Sequence, residues 1–205
     1  MTNEINLLLF VFSRPCQDFF MPGRTLPRGP DWCTPPWPRP AARGGGVAKI
    51  LVLGVGNILM TDDGVGVHAA LELAKESWPD NVTILEGGTF TQDIYYLFMD
   101  YDLLLVLDCV RAKHPPGTIY RLTEDDIKQN REQRMSVHDI DLIDSLRMAE
   151  MAGKRPEMVV IGIEPESMGW NMDMSETLKA KFPKFLDHAR AELTALIERA
   201  REEGK

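Results

Sequence analysis

The stretch ILVLGVGNILMTDDGVG, residues 50–66, decides the fold of this chain. Its opening, with Lys49–Val55 as the predicted strand, is apolar without alternation, which is typical of a parallel strand buried on both faces. A glycine turn follows, as in phosphate-binding loops. Asp62 and Asp63 come next, where a helix is predicted to begin. Because carboxylates repel phosphate and attract metal ions, the two halves of the stretch favour different ligands.

From Val47 onward, strand patterns alternate with helix patterns. This alternation predicts an α/β fold of three layers, in which a twisted, mostly parallel sheet is sandwiched between helices. The other predicted strands are Val82–Leu85, Asp102–Leu107, the alternating edge strand Gly117–Leu122 and Met158–Ile163. The predicted helices are Gly64–Ser77, Thr91–Met99, Ser136–Met148 and a last one from Ser175 to Ala200, which Pro183 kinks or divides. Residues 47–205 therefore form one predicted α/β domain.

Composition excludes several classes of function. The chain has 205 residues, of which 44% are hydrophobic, and a net charge of −8, so neither nucleic acid nor an anionic membrane is an expected partner. No apolar run reaches the roughly 18 residues of a membrane-spanning helix. Three cysteines show neither paired metal spacing nor a disulfide framework. A reducing cytoplasm is the expected location.

Residues 1–46 differ from the rest of the chain. They hold eight of the 14 prolines, including the run Pro35–Pro40, which suits neither a helix nor a central strand. We expect a disordered, proline-rich leader. A further hypothesis is that these residues are a start-site artefact, because regular patterns begin abruptly at Val47 and valine codons can start translation in bacteria. Mass analysis of the native N-terminus tests it.

Candidate ligands occupy three places, at the ends of two predicted strands and at the start of a helix near the same edge of the sheet. Asp62 and Asp63 follow the first strand, Asp108 ends the third, and His138 lies in the first turn of a helix. In open α/β sheets such positions meet at the carboxyl edge. Two carboxylates and an imidazole suit a divalent ion such as Zn, Ni, Fe or Co, with positions open for water or substrate.

Simpler interpretations of these residues remain open. An Asp before a helix often serves only as its N-cap, which is the favoured interpretation of Asp62 and one of two equally weighted interpretations of Asp63. Cys109 is better interpreted as a small buried residue than as a nucleophile, since no histidine is placed to activate it. The dinucleotide-binding fingerprint is incomplete because Leu59 occupies its third glycine position. Glu86 also lies further from Gly54 along the chain than the acid that binds ribose in such proteins.

The segment GVGNILMTDDGVGV, residues 54–67, resembles the glycine-rich opening of the hydrogenase maturation proteases. These endopeptidases trim the C-terminus of the [NiFe]-hydrogenase large-subunit precursor. The similarity continues in order to the C-terminus and leaves only the leader unmatched. Its further motifs are Leu85-Glu-Gly-Gly-Thr89, Leu107-Asp108, Pro116-Gly-Thr118, Ser136-Val-His138, Gly162-Ile-Glu-Pro-Glu-Ser167 and Met174-Ser175.

The resemblance implies a five-stranded sheet, an aspartyl-type endopeptidase and a set of site residues. The family's metal-binding residues fall on Asp63, Asp108 and His138, with Asp63 replacing a more common glutamate. The resemblance implies that the nickel already loaded into the precursor is the recognition signal. The precursor, as the partner, would therefore supply the nickel cofactor. A position linked to substrate discrimination, commonly Asp, is Glu86 here.

A mechanism follows in outline from these residues. The metal would polarise the scissile carbonyl or activate a water, and Asp62 or Glu86 would accept the proton. Two other functions stay open from the sequence. One is a non-enzymatic, nickel-sensing escort on the same fold, and the other is a nucleotide-binding Rossmann-like enzyme.

Overall fold

The structure is a computed structural model that describes residues 47–89, 95–129 and 139–203. The predicted leader, the start of the predicted helix Thr91–Met99 and the candidate ligand His138 lie outside these ranges. The strands are β1 (Ile50–Val55), β2 (Val82–Gly88), β3 (Leu103–Cys109), β4 (Ile119–Thr123) and β5 (Glu157–Ile163). The helices are α1 (Val65–Leu73), α2 (Tyr95–Phe98), α3 (Glu124–Gln129), α4 (Asp139–Met151) and α5 (Glu176–Glu203), and a 3-10 turn, Thr61–Gly64, precedes α1.

The described strands form one five-stranded sheet in the order β2-β1-β3-β5-β4. Neighbouring strands are parallel except for β4, which pairs antiparallel with β5 at the edge. The predicted mostly parallel sheet and the predicted edge strand are both confirmed. From β1 the chain crosses to β2 on one side and then to β3 on the other, so the topological switch point lies between β1 and β3. Ligands of open α/β sheets bind at such a point.

Two hydrophobic clusters cover the two faces of the sheet. Alternate residues of β1 and β3, such as Val52 and Leu105, pack with α1 and α5 on one face. The intervening residues, such as Leu53 and Leu104, pack with α2, α3 and α4 on the other. The full burial of β1 and β3 follows from this arrangement and explains their unbroken apolar sequence. The three-layer prediction is therefore confirmed.

The structure differs from the predicted elements in three places. Strand β2 runs on through Gly88, because Val55 pairs with Gly88 after an irregularity in the β1 register. Helix α3 was not predicted, since three consecutive acids in its first turn disguise its apolar pattern. Helix α5 is one continuous helix that Pro183 does not divide. Among the described helices, none combines the length and apolar character needed to cross a membrane.

Candidate active site

Two glycines bring the loop after β1 into direct contact with the sheet. Gly56 has φ +130°, and a Cβ there would lie 1.8 Å from the carbonyl oxygen of Asp63. A Cβ on Gly66 would lie 2.1 Å from the carbonyl oxygen of Leu107 and 2.4 Å from that of Val55. Helix α1 therefore begins directly on the backbones of β1 and β3. The glycines thus serve close packing of the loop on the strands. This agrees with the acids that follow them, which would repel a phosphate.

Asp63 lies in the 3-10 turn and is 5% exposed. Its Oδ2 accepts the backbone N–H of Asn57 at 2.8 Å, and its own N–H donates to the carbonyl of Met60. An N–H in the glycine turn that could hold a phosphate in a dinucleotide enzyme is thus taken by a carboxylate. Asp63 is held in a fixed orientation at the carboxyl end of β1.

Asp108 projects from β3, the strand next to β1, and is 2% exposed. Its Oδ1 accepts the backbone N–H of Cys109 at 2.7 Å. Strand alternation puts its side chain on the same face as Leu104 and Val106, which pack in the cluster that includes residues of α4. Asp63, in the turn after β1, and Asp108, on β3, therefore belong to the two segments that border the switch point.

The pKa of the Cys109 thiol is affected by the negative charges at the carboxyl edge of the sheet. Burial raises the pKa of its thiol, and the charges of Asp108, Asp63 and Asp62 raise that pKa further. The thiol is free, 3% exposed and packed in the core. It stays protonated near neutral pH, so it is not an activated nucleophile, and its interpretation as a small buried residue is confirmed. The charges of Asp62, Asp63 and Asp108 therefore all act on this thiol.

Asp62 is fully buried and bonds to a different segment of the chain from Asp63. Its Oδ2 accepts the backbone N–H groups of Glu166 at 2.9 Å and Ser167 at 2.8 Å, and its Oδ1 accepts that of Ser175 at 2.7 Å. It makes no cap bond to the 3-10 turn or to α1. Instead of capping its own helix, Asp62 ties the loop after β1 to the loop between β5 and α5.

Glu164 is a buried acid that sequence reasoning missed. Glu164 follows β5 directly, as Asp108 follows the apolar part of β3. The signal that identified Asp108, an acid at the end of an apolar strand, was therefore present here too. Its carboxylate accepts the N–H groups of Ala112 and Lys113 and the hydroxyl hydrogen of Tyr120. Burial and this bond to Glu164 raise the pKa of Tyr120. Glu164 fixes the loop that follows Asp108 at the same sheet edge.

A groove of about 320 Å³ opens beside the loop that carries Asp63. Exposed Glu86 lies on its wall, on β2 beside Gly54 of β1. Glu86 is thus one strand further from Asp108 than Asp63 is. The other lining residues are Gly56, Asn57, Ile58, Val67, Gly87, Gly88 and Thr89.

The third candidate ligand, His138, falls outside the described ranges, directly before α4 begins at Asp139. Helix α4 ends shortly before the amino end of β5. Because the helix is 13 residues long, its first turn lies toward the opposite, carboxyl edge of the sheet. Within residues 47–89, 95–129 and 139–203, no group of three His, Cys, Asp or Glu side chains is arranged to hold a metal ion. The described part of the site consists of the two carboxylates Asp63 and Asp108.

Comparison with known proteins gives consistent results. The family model described as hydrogenase maturation protease matches residues 67–192. The chain is 32% identical over 148 residues to the hydrogenase 2 maturation protease of Escherichia coli, across 71% of this chain and 90% of that protein. The solved hydrogenase maturating endopeptidase HybD from E. coli superposes with a TM-score of 0.66 at 31% identity, covering 72% and 93% of the two chains. The [NiFe] hydrogenase maturation protease HybD from Thermococcus kodakarensis gives 0.60 at 26% identity, covering 70% and 97%.

Proposed function

Because this chain belongs to the hydrogenase maturation protease family, we propose that it removes the C-terminal extension of a nickel-loaded [NiFe]-hydrogenase large-subunit precursor. The chain is an endopeptidase, and the cut would complete maturation of that subunit. The expected place of action is the cytoplasm. The observation that carries the proposal is the pair of buried carboxylates at the switch point, Asp63 in the turn after β1 and Asp108 on the adjacent strand β3.

Nickel in this proposal is part of the substrate. Asp63, Asp108 and His138 would complete the coordination of the ion that the precursor already holds. Two carboxylates and an imidazole are a chemically suitable donor set for a borderline divalent ion. The backbone N–H bonds from Asn57 to Asp63 and from Cys109 to Asp108 orient both carboxylates, as bonds behind metal ligands commonly do.

The groove beside the Asp63 loop suits an extended peptide. Three glycines in its lining leave the backbone open to close approach, and it begins next to the loop that holds Asp63. A metal ion at Asp63 and Asp108 would polarise the scissile carbonyl or activate a water. Exposed Glu86 on the groove wall is better placed than Asp62 to accept the proton, because both oxygens of Asp62 already accept N–H bonds in the interior.

The two alternative functions have less support. The comparisons give proteases by name and favour neither an escort nor a nucleotide-binding enzyme. The dinucleotide alternative also meets a physical obstacle, because buried Asp62 and Asp63 follow the glycine turn and would repel a pyrophosphate. An escort would bind the precursor without shortening it, and a nucleotide enzyme would gain thermal stability from dinucleotide.

Incubation of the purified full chain with nickel-loaded precursor tests the function. Cleavage at one C-terminal bond, seen by intact mass, is expected, and the nickel-free precursor should stay uncut. Binding without shortening would contradict the proposal. The His138→Ala variant should fold normally and lose processing, and full processing by it would remove His138 from the ligand set.

A further inference from the structure

Two loops at the carboxyl edge are held together as one unit. The N–H of Thr61 donates to the carbonyl of Asn171 at 2.7 Å, and the N–H of Asn171 donates to the carbonyl of Leu59 at 3.1 Å. The hydroxyl of Thr61 donates to the carbonyl of Gly169 at 2.6 Å. With the bonds of Asp62 to the second loop, these contacts fix the surface that both loops present.

That surface is unusually apolar for its position. Trp170 is 82% exposed, Met172 64%, Leu59 46% and Ile58 40%. The bridge between Met60 and Asn171 sets Leu59 beside Trp170 across the two segments. Single exposed apolar residues are ordinary, but four on two adjoining loops are typical of a contact surface. We call Ile58, Leu59, Trp170 and Met172 the apolar platform.

The two segments that carry the apolar platform hold charge of one sign. The segments 54–67 and 162–175 contain no Lys or Arg. Glu166 and Asp173, on the second segment, are exposed. A partner surface that fits is therefore apolar at its centre and basic at its rim.

The apolar platform is continuous with the groove of the active site. Ile58 lines that groove and is followed in the chain by Leu59. We propose that the apolar platform binds an apolar, basic-rimmed face on the folded body of the precursor. The extended tail of the precursor enters the groove at the same time. This inference rests on the proposed function. Because the loops are fixed before binding, docking costs little ordering entropy, and Trp170 is the anchor with the largest contact area.

Steady-state cleavage of nickel-loaded precursor by Trp170→Ala and Met172→Ala tests the docking. We expect KM to rise at least about tenfold for the Trp170 variant while kcat stays within about twofold. Met151→Ala is the matched control, because Met151 is 89% exposed at the end of α4, near the amino edge of the sheet. Glu166→Lys should raise KM and weaken its dependence on salt.

Direct binding separates this inference from the proposed function. The affinity for precursor is measured in an Asp63→Asn background, where binding is read without cleavage. Weaker binding on adding Trp170→Ala, but not Met151→Ala, supports docking whether or not the wild type cuts. Unchanged affinity and KM, or a loss confined to kcat, would overturn it. Uncut precursor with wild-type protein would instead overturn the proposed function.

Discussion

Asp62 Oδ1 accepts the backbone N–H of Ser175 at 2.7 Å, although the two residues are 113 positions apart in the chain. Ser175 in turn caps the first turn of α5, because its Oγ accepts the N–H of Leu178 at 3.2 Å. One buried carboxylate thereby joins the loop after β1 to the start of the last helix. The neighbouring acids Asp62 and Asp63 thus bond to different segments, since Asp62 joins two distant loops and Asp63 accepts the N–H of Asn57 in its own loop.

Replacing Asp62 with Ala should lower the free energy of unfolding by about 3–5 kcal/mol, because three backbone N–H groups lose a buried, charged acceptor. Urea unfolding measures the loss. Asp173→Ala is the control, since Asp173 is an exposed acid in the same loop and its removal should cost less than about 0.5 kcal/mol. Equal stabilities of the two variants would contradict the structural role of Asp62.

Replacing Gly56 with Ala should displace Asp63 and abolish activity. The added Cβ would meet the Asp63 carbonyl, and the positive φ adds backbone strain. Gly153→Ala separates the two effects, because Gly153 has φ +112° but open space around its Cβ position. We expect a cost of about 1–3 kcal/mol and full activity for Gly153→Ala. If the Gly56→Ala variant lost little stability and stayed active, the loop would not need the close contact between Gly56 and the Asp63 carbonyl.

Cys109 should resist alkylation in the folded protein at neutral pH and react readily in guanidinium chloride. Burial and the neighbouring carboxylates raise the pKa of its thiol, so the reactive thiolate is scarce. Peptide mass mapping after treatment with iodoacetamide measures the labelling of this residue. Rapid labelling of the folded protein with loss of activity would make Cys109 a candidate nucleophile.

The same raised pKa of Cys109 has a consequence for stability. The thiol of the unfolded chain ionises at about pH 8.5, whereas the folded chain keeps its proton at that pH. The free energy of unfolding should therefore fall as the pH rises above that value. Cys109→Ala should remove this part of the pH dependence, and an unchanged slope in urea titrations at several pH values would contradict the cause.

The sequence predicts most of the fold because its signals are local. Unbroken apolar strands such as β1 and β3 indicate burial on both faces, and the alternation in β4 indicates an edge. The position of Asp63 and Asp108 after such strands indicates the carboxyl edge, and the structure places both there. The family resemblance, and not spacing, distinguished Asp63 from Asp62.

What the sequence does not predict depends on contacts between distant segments. The three N–H groups that bind Asp62 come from residues more than 100 positions away, so an N-cap was the natural expectation for it. The bonds of Glu164 to the loop after β3 and the bridge between Met60 and Asn171 are equally non-local. No local periodicity reports such pairs.

We propose that cleavage of a nickel-loaded precursor depends on the carboxylates of both Asp63 and Asp108. The most direct measurement is single-turnover cleavage by Asp63→Asn, Asp108→Asn and the wild type, with circular dichroism to confirm folding. Each variant keeps an oxygen for its backbone N–H partner but loses the charge. We expect the cleavage rate of both folded variants to fall by at least about a thousandfold. Cleavage within about tenfold of the wild-type rate by either variant would contradict the account.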